Sequence, residues 1–200
     1  MLFVLATLLL NAVPAKEHVL AIKDPAGSHV IASAVLLNKF TALTAAHAVG
    51  PERSAVFLQC GADDVSAVVS KRGRMHDLAL LTLMQPCEDV VPVSLAAEDP
   101  VAETPVSIDG YPSGAHTHTK GKIKSYGLFS LPAKVFGPGV LWIAMVLEAD
   151  VRPGNSGGPV LANGKLVGIV HGYHESAEGK PGIAVPLAAI VQFLSSDSPS

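Results

Sequence analysis

The stretch that decides the fold is Gly154-Asn155-Ser156-Gly157-Gly158-Pro159, in which glycines flank a serine and a proline follows. Glycine adopts backbone angles that other residues avoid, and it leaves free space over the backbone. The serine hydroxyl in such a loop can act as a nucleophile, and nearby backbone N–H groups can stabilise an oxyanion. Clusters of Gly, Ser, Asn and Pro are also ordinary turn sequences. A catalytic interpretation therefore requires a base and an acid elsewhere in the chain.

Two upstream segments supply candidates for these groups. His47 ends the small-residue segment Thr44-Ala45-Ala46-His47, and Asp77 heads the apolar segment Asp77–Leu81 (DLALL). Serine needs an imidazole to take its proton, and a buried carboxylate on the other ring nitrogen orients that imidazole. The backbone N–H groups of Gly154 and Ser156 are then candidates for the oxyanion hole. Each of these residues alone would more often be structural, so the interpretation rests on their joint occurrence.

Together the three segments resemble the signatures of trypsin/chymotrypsin-like serine proteases, here as TAAHAV, DLALL and GNSGGP in the same order. The resemblance implies an all-β, chymotrypsin-like fold of two antiparallel six-stranded β-barrels with the active site in the cleft between them. It also implies that general base His47 and acid Asp77 lie on the first barrel and nucleophile Ser156 on the second. The implied function is a serine endopeptidase that acts through an acyl-enzyme.

The strand pattern agrees with such a fold. Short apolar runs separated by turn residues predict closed or sandwiched β units. Asn163-Gly164 between two apolar runs predicts a hairpin, and helical spacing predicts a short helix near 186–194. A Pro- and acid-containing segment at 96–100 is the candidate linker. We therefore expect a first barrel over 16–98 and a second over 99–200.

A rival interpretation is the nucleophile elbow of α/β-hydrolases, because Gly154–Gly158 also matches G-x-S-x-G. That elbow needs a helix after the serine and then an acid and a histidine. Here Pro159 and the predicted hairpin follow, and the only downstream aspartate is Asp197. The context excludes the elbow.

The N-terminal residues 1–15 resemble a secretory signal peptide. Leu2 to Leu10 are almost uniformly apolar, and Val13-Pro14-Ala15 ends in small residues, which predicts cleavage after Ala15. A basic segment before the apolar run is missing, so a buried strand or an uncleaved anchor is the alternative. We expect a secreted or periplasmic protein with no stable membrane partner after cleavage.

Cys60 and Cys87 lie 27 positions apart. They are a candidate disulfide if the chain is exported and buried thiols if it is not. His116 and His118 form an H-x-H in a polar loop without nearby acidic residues in the sequence. We interpret them as solvent-exposed loop histidines and predict neither a metal site nor a cofactor.

Composition and net charge limit the classes of molecule that the protein can bind. The net charge is -3 with no basic run, which excludes a typical nucleic-acid surface, and 49% of the residues are hydrophobic, which indicates a packed globular chain. Protein or peptide substrates are the partners that the resemblance implies, whereas the oligomeric state has no signal in the sequence.

Departures from the pancreatic pattern point to a branch of the family. Asn155 precedes the serine, where zymogen-activated members have an aspartate that pairs with a new N-terminus, and no I-V-G-G-like segment occurs near the start. We therefore predict no activation switch of that type. The chain resembles bacterial-type members, HtrA-like or glutamyl-endopeptidase-like, and 200 residues leave no room for a C-terminal PDZ domain.

Two residues give opposite predictions for the substrate. Asp150 lies six residues before Ser156, where the resemblance implies the base of the primary specificity pocket, and a carboxylate there selects Arg or Lys. Neighbouring Arg152 can neutralise it. His171 resembles the histidine with which glutamyl endopeptidases bind an acidic side chain. We expect a preference for a basic residue before the scissile bond. The alternative function is a catalytically silent pseudoprotease or binding module on the same fold.

Overall fold

Two closed β-barrels make up the computed structural model, which describes residues 18–73, 75–130, 141–175 and 179–196. The predicted leader at 1–15 lies outside the described residues. Within them, no helix is long and apolar enough to cross a membrane.

Six antiparallel strands form the first barrel: β1 (Val19–Lys23), β2 (Val30–Asn38), β3 (Thr41–Thr44), β4 (Ala55–Cys60), β5 (Asp63–Arg72) and β6 (Ala79–Leu83). They close in the order β1-β2-β3-β6-β5-β4. Buried and exposed residues alternate along β5, as a strand with one face on a core requires. Aliphatic side chains such as Leu20, Leu36, Leu58 and Leu81 fill the interior.

The second barrel repeats this design with β7 (Pro105–Gly110), β8 (Thr117–Ser130), β9 (Leu141–Glu148), β10 (Pro159–Ala162), β11 (Lys165–Tyr173) and β12 (Gly182–Pro186). Their order around the barrel is β10-β11-β12-β9-β8-β7. The fold class predicted from the sequence is therefore confirmed. Asn163 and Gly164 both have positive φ, 48° and 72°, as expected for a two-residue hairpin turn between β10 and β11.

A short helix, α1 (Leu187–Ser195), follows β12 and matches the predicted one to within a residue. Asp99 of the linker segment holds its N-terminus, because its carboxylate accepts hydrogen bonds from the amides of Leu187 and Ala188 at 2.8 and 3.0 Å. Lys71 of β5 holds its C-terminus by donating to the carbonyl of Phe193 at 2.5 Å and to that of Ser196. The helix thus connects the second barrel to the first.

Apolar residues from both barrels meet in a shared cluster. Val35, Leu43 and Leu78 of the first barrel pack there with Trp142, Ile183 and other residues of the second. Cys60 and Cys87, which pack with the core of the first barrel, form a disulfide with Cα atoms 5.7 Å apart. The central packing places the residues at the ends of β3 and β11, and the segments beside them, in one cleft.

Candidate active site

His47 lies just after β3 in a short 3-10 turn, Ala46–Ala48. The preceding Ala45 and Ala46 are fully buried, so their small side chains let the turn sit against the barrel. The guanidinium of Arg72 donates to three carbonyl oxygens of the turn and its exit, those of Ala46, Val49 and Gly50, at 2.5, 3.0 and 2.9 Å. Arg72 therefore stabilises the backbone that carries His47, a role that no motif in the sequence indicated.

Asp77 precedes β6 and is completely buried. Its Oδ1 accepts a hydrogen bond from the backbone N–H of His47 at 2.8 Å, and its Oδ2 accepts one from Nδ1 of the same residue at 2.6 Å. Burial by itself raises the pKa of Asp77, but the hydrogen bonds from His171 and from His47 outweigh it and hold that pKa well below its ordinary value. Asp77 is therefore an ionised carboxylate that orients the His47 ring.

His171, on β11, is the second partner of this carboxylate. Its Nδ1 lies 2.5 Å from Oδ2 of Asp77, and its ring contacts the edge of the His47 ring with centroids 5.2 Å apart. A carboxylate only accepts hydrogen bonds, so both imidazoles carry their proton on Nδ1. His171 is a substrate-pocket candidate from the sequence, and the structure places its ring beside Asp77 and Trp142.

Ser156 faces the same cleft from the second barrel. Its Oγ donates to the backbone carbonyl of His171 at 3.0 Å, and its own carbonyl accepts from the N–H of Ser33 on β2 at 2.9 Å. The neighbouring Gly157 N–H donates to the carbonyl of Val170 at 2.8 Å. The serine is thus held between β2 of one barrel and β11 of the other.

The glycines beside Ser156 are there for close backbone approach. Gly154 and Gly157 have φ of 100° and 82°, a region that favours glycine. A Cβ on Gly157 would lie 2.1 Å from the carbonyl oxygen of Ser33, and one on Gly158 would lie 2.3 Å from that of Asp109. The loop is therefore more than a turn, since at Gly157 it packs directly against Ser33 of the first barrel.

Ser33 connects this loop to its surroundings. Its Oγ accepts a hydrogen bond from the Tyr111 N–H at 3.0 Å and donates one to the Gly154 carbonyl at 2.7 Å. Its carbonyl accepts from Oγ1 of Thr44 at 2.7 Å. Sequence reasoning missed Ser33, because a lone serine inside an apolar strand has no motif around it.

Asn155, directly before the serine, is 1% exposed. Its Oδ1 accepts a hydrogen bond from the Arg152 N–H at 2.9 Å, so the loop closes on itself. Within the described part of the chain, its Nδ2 has no hydrogen-bond partner. An activation switch of the zymogen type would involve N-terminal residues that lie outside the described part of the chain. Its predicted absence therefore stays a prediction.

Asp150 lies at the surface, 61% exposed, with its Oδ2 2.5 Å from Nη2 of Arg152. The hydrogen bond from Arg152 lowers the pKa of this carboxyl. Arg152, which the sequence offers as a neutralising neighbour, therefore forms an ion pair with Asp150. Both side chains are exposed to solvent.

The expectation that His116 and His118 have no acidic neighbour was wrong. Nδ1 of His118 lies 2.8 Å and Nε2 of His116 lies 3.7 Å from Oδ1 of Asp109, a buried carboxylate. The reason is the antiparallel pairing of β7 with β8, which sets His118 directly opposite Asp109. Residues nine apart in the sequence are thereby brought into contact.

One set of side chains in the described residues brings together three groups that could hold a metal ion. The nearest ligand atoms of His47, Asp77 and His171 all lie within 4.8 Å of one another.

Comparison with known proteins identifies the class. The family model of the trypsin-like peptidase domain matches residues 27–169. The chain belongs to this family.

Relatives of known name are proteases of the Do-like type. Protease Do-like 4, mitochondrial, from Arabidopsis thaliana is 30% identical over 160 residues, which are 76% of this chain and 29% of that protein. Putative protease Do-like 3, mitochondrial, from the same plant is also 30% identical over 160 residues, 76% of this chain and 27% of the relative. The chain thus spans less than a third of the length of these relatives.

Solved structures show the same fold. The active form of the Rv3671c protease from M. tuberculosis superimposes with a TM-score of 0.77 at 23% identity, over 93% of this chain and 84% of that one. The MamO protease domain from Magnetospirillum magneticum gives 0.75 at 21% identity, over 91% and 98% of the two chains. These likenesses extend over both barrels.

Proposed function

We propose that this chain is a serine endopeptidase that cleaves peptide bonds through an acyl-enzyme. The observation that carries the proposal is the double hydrogen bond from His47, through its backbone N–H and its Nδ1, to the buried carboxylate of Asp77. This arrangement leaves Nε2 of His47 as the basic nitrogen. Membership of the trypsin-like peptidase family supports the same chemistry.

In the proposed reaction, Ser156 Oγ turns away from the His171 carbonyl and gives its proton to Nε2 of His47 while it bonds to the substrate carbonyl carbon. Asp77 stabilises the imidazolium that forms. His47 then returns the proton to the leaving amine as the C–N bond breaks, which leaves an ester on Ser156. Water attacks this ester by the same route and regenerates the serine.

The oxyanion of each tetrahedral intermediate would be bound by the backbone N–H groups of Gly154 and Ser156. Among the described residues neither amide donates to another backbone carbonyl. The Ser33 hydroxyl donates to the Gly154 carbonyl at 2.7 Å, which holds the peptide that lies between the two proposed donors. Preorganised donors of this kind contribute on the order of 3–4 kcal/mol to the lowering of the barrier.

We propose that the enzyme prefers a basic residue before the scissile bond and recognises it through Asp150. Its ion pair with Arg152 is the competing interaction that a substrate cation has to replace. Peptides that differ only in Arg, Lys, Glu or Leu at this position test the proposal, and cleavage after Glu alone would overturn it.

We further propose export, with a leader at 1–15 and barrels that divide near residue 98. The Cys60–Cys87 disulfide supports an oxidising compartment. Mass spectrometry of the mature protein tests it, because a mature N-terminus at Lys16 and a disulfide-bonded peptide pair are expected in the exported fraction.

The alternative is a binding module without catalysis. One observation favours it, namely that the Ser156 hydroxyl bonds to the His171 carbonyl and that His171 shares the Asp77 carboxylate with His47.

The Ser156→Ala variant separates the two functions. For an enzyme, turnover falls by about 10⁶-fold while the melting temperature stays close to wild type. A fluorophosphonate probe labels the wild-type protein at Ser156, whereas the exposed-serine control Ser125→Ala keeps both labelling and turnover. Folded wild-type protein without labelling or turnover would establish the binding module instead.

A further inference from the structure

Two imidazoles converge on one carboxylate oxygen. Nδ1 of His47 and Nδ1 of His171 lie 2.6 and 2.5 Å from Oδ2 of Asp77. The carboxylate is fully buried, whereas the two imidazoles are 29% and 20% exposed. The group is therefore anchored in the protein and still open to an ion that enters from the cleft.

We propose that His47, Asp77 and His171 form a zinc site, and that bound Zn²⁺ reversibly inhibits the peptidase. The inhibition rests on the proposed function, whereas the metal site itself does not. No metal site is predicted from the sequence, because only the fold brings His171 to the other two residues.

The donor set suits this ion. Two imidazoles and a carboxylate, with a water in the fourth position, are a usual tetrahedral zinc environment, whereas Mg²⁺ and Ca²⁺ prefer oxygen ligands alone. Bond lengths of about 2.0–2.1 Å around a tetrahedral ion separate its ligand atoms by roughly 3.3 Å. Each Nδ1 therefore has to retreat from Oδ2 by less than one ångström. His47 is on a short turn of one barrel and His171 on a strand of the other, so each ring can shift separately until the three ligand atoms, now within 4.8 Å of one another, reach this spacing.

Binding changes which nitrogen carries the proton. In the hydrogen-bonded state both imidazoles hold their proton on Nδ1, because the carboxylate accepts from both. A zinc ion on Nδ1 needs its lone pair, so each neutral ring carries its proton on Nε2 instead. No proton is lost in this change, but Nε2 of His47 can no longer accept the proton of Ser156. Zinc thus removes the general base without touching the serine.

The buried carboxylate favours a cation in electrostatic terms as well. Asp77 is fully buried and accepts hydrogen bonds from both imidazoles, and the ion would place two positive charges next to this carboxylate. Its other oxygen keeps the hydrogen bond from the His47 backbone N–H at 2.8 Å, which holds the carboxylate in place while Oδ2 binds the metal.

Calorimetry on untagged, full-length Ser156→Ala protein tests the site independently of any activity. One Zn²⁺ per chain is expected at this site, and a second substitution, His171→Gln, is expected to weaken its binding by at least about 10–100-fold. The matched control is His174→Gln, which removes an exposed imidazole at the end of the same strand and leaves the affinity unchanged. Mg²⁺ is not expected to bind. Equal zinc affinity with and without His171 would overturn the proposal.

The second histidine cluster needs its own control. His116, His118 and Asp109 also bring two imidazoles to a carboxylate. His118→Gln in the Ser156→Ala protein is expected to keep the zinc affinity. Loss of binding in this variant, with retention in His171→Gln, would place the ion on the other cluster and refute the proposal.

A spectroscopic measurement covers the case in which His171→Gln fails to fold. Long-range ¹H–¹⁵N NMR of the imidazoles in Ser156→Ala protein reports the tautomer of each of the eight histidines. At saturating zinc, two of them should change from Nδ1–H to Nε2–H. No such change would overturn the site.

Activity measurements then separate the two proposals. An active wild-type enzyme should lose turnover on addition of zinc and regain it with EDTA, and His174→Gln should behave in the same way. Turnover that is insensitive to zinc would refute inhibition and leave the peptidase function intact. A protein without turnover that still binds one zinc through His171 would refute the peptidase function and leave the metal site intact.

Discussion

His171 and Asp77 are 94 residues apart in the sequence and meet at 2.5 Å, Nδ1 to Oδ2, across the two barrels. The same oxygen accepts the hydrogen bond from His47 at 2.6 Å. Asp77 is therefore shared by two imidazoles, one from each barrel. Both its charge and its orientation depend on the contact between the barrels.

Replacing His171 should change the acid stability through Asp77. The folded-state pKa of Asp77 is lowered, so its contribution to stability is present above the ordinary carboxyl pKa of about 3.9 and is lost as the pH falls through the folded value. His171→Ala removes one of the lowering hydrogen bonds and raises that folded pKa. Compared with wild type, we expect the variant to have a lower free energy of unfolding at neutral pH. Its free energy of unfolding should also fall less as the pH is lowered below 4, as measured by denaturant titration.

The control is His174→Ala, which leaves the Asp77 contacts intact and should keep the wild-type profile. An unchanged pH profile in His171→Ala would show that His171 does not support the ionised carboxylate.

Gly157→Ala should destabilise the contact between the barrels. The added Cβ would lie 2.1 Å from the Ser33 carbonyl oxygen, and φ is 82°. Overpacking costs about 1–3 kcal/mol, and the left-handed backbone adds about 1–2 kcal/mol. Gly164→Ala is the matched control, since φ is 72° there and no atom lies within 4 Å of the added Cβ. Equal destabilisation of the two variants in urea unfolding would contradict a tight contact at Gly157.

Loss of the Cys60–Cys87 disulfide should lower stability without changing the site. The bridge closes a loop over a sequence separation of 27, which restricts the unfolded chain by about 3.5 kcal/mol. The Cys60→Ala/Cys87→Ala protein is expected to unfold at clearly lower urea concentration and to keep its peptidase turnover at 25 °C. A midpoint unaffected by the double substitution would contradict the bridge.

Tyr126 should ionise well above the ordinary tyrosine pKa of about 10. Burial, together with the nearby Asp99 carboxylate, raises its pKa to about 12, and its hydroxyl donates to the Pro100 carbonyl at 2.6 Å. Because the folded pKa is raised, this contribution to stability is complete below about pH 10 and is lost as the pH rises towards 12. Ultraviolet titration of wild type and Tyr126→Phe measures it, and the ionisation near pH 12 should be missing from the variant. A complete titration near pH 10 in the wild type would refute the shift.

Much of the fold could be predicted because its signals are local. Asn163-Gly164 between apolar runs determines a hairpin through the backbone angles of two adjacent residues, and the spacing of 186–194 determines a short helix. The residues His47, Asp77 and Ser156 could be chosen because each lies in a recognisable motif. The contacts of Ser33, Arg72 and His171 could not be predicted, because each depends on a partner that is distant in the chain.

The sequence by itself determined the class of fold, the two barrels and the residues proposed for catalysis, since strand periodicity, turn chemistry and short motifs act over a few neighbouring positions. Only the tertiary structure decided that His171 binds Asp77 and that Asp109 lies opposite His118. Strand register and the docking of one barrel on the other set these distances. Register and docking result from packing across the whole chain, which no single stretch encodes.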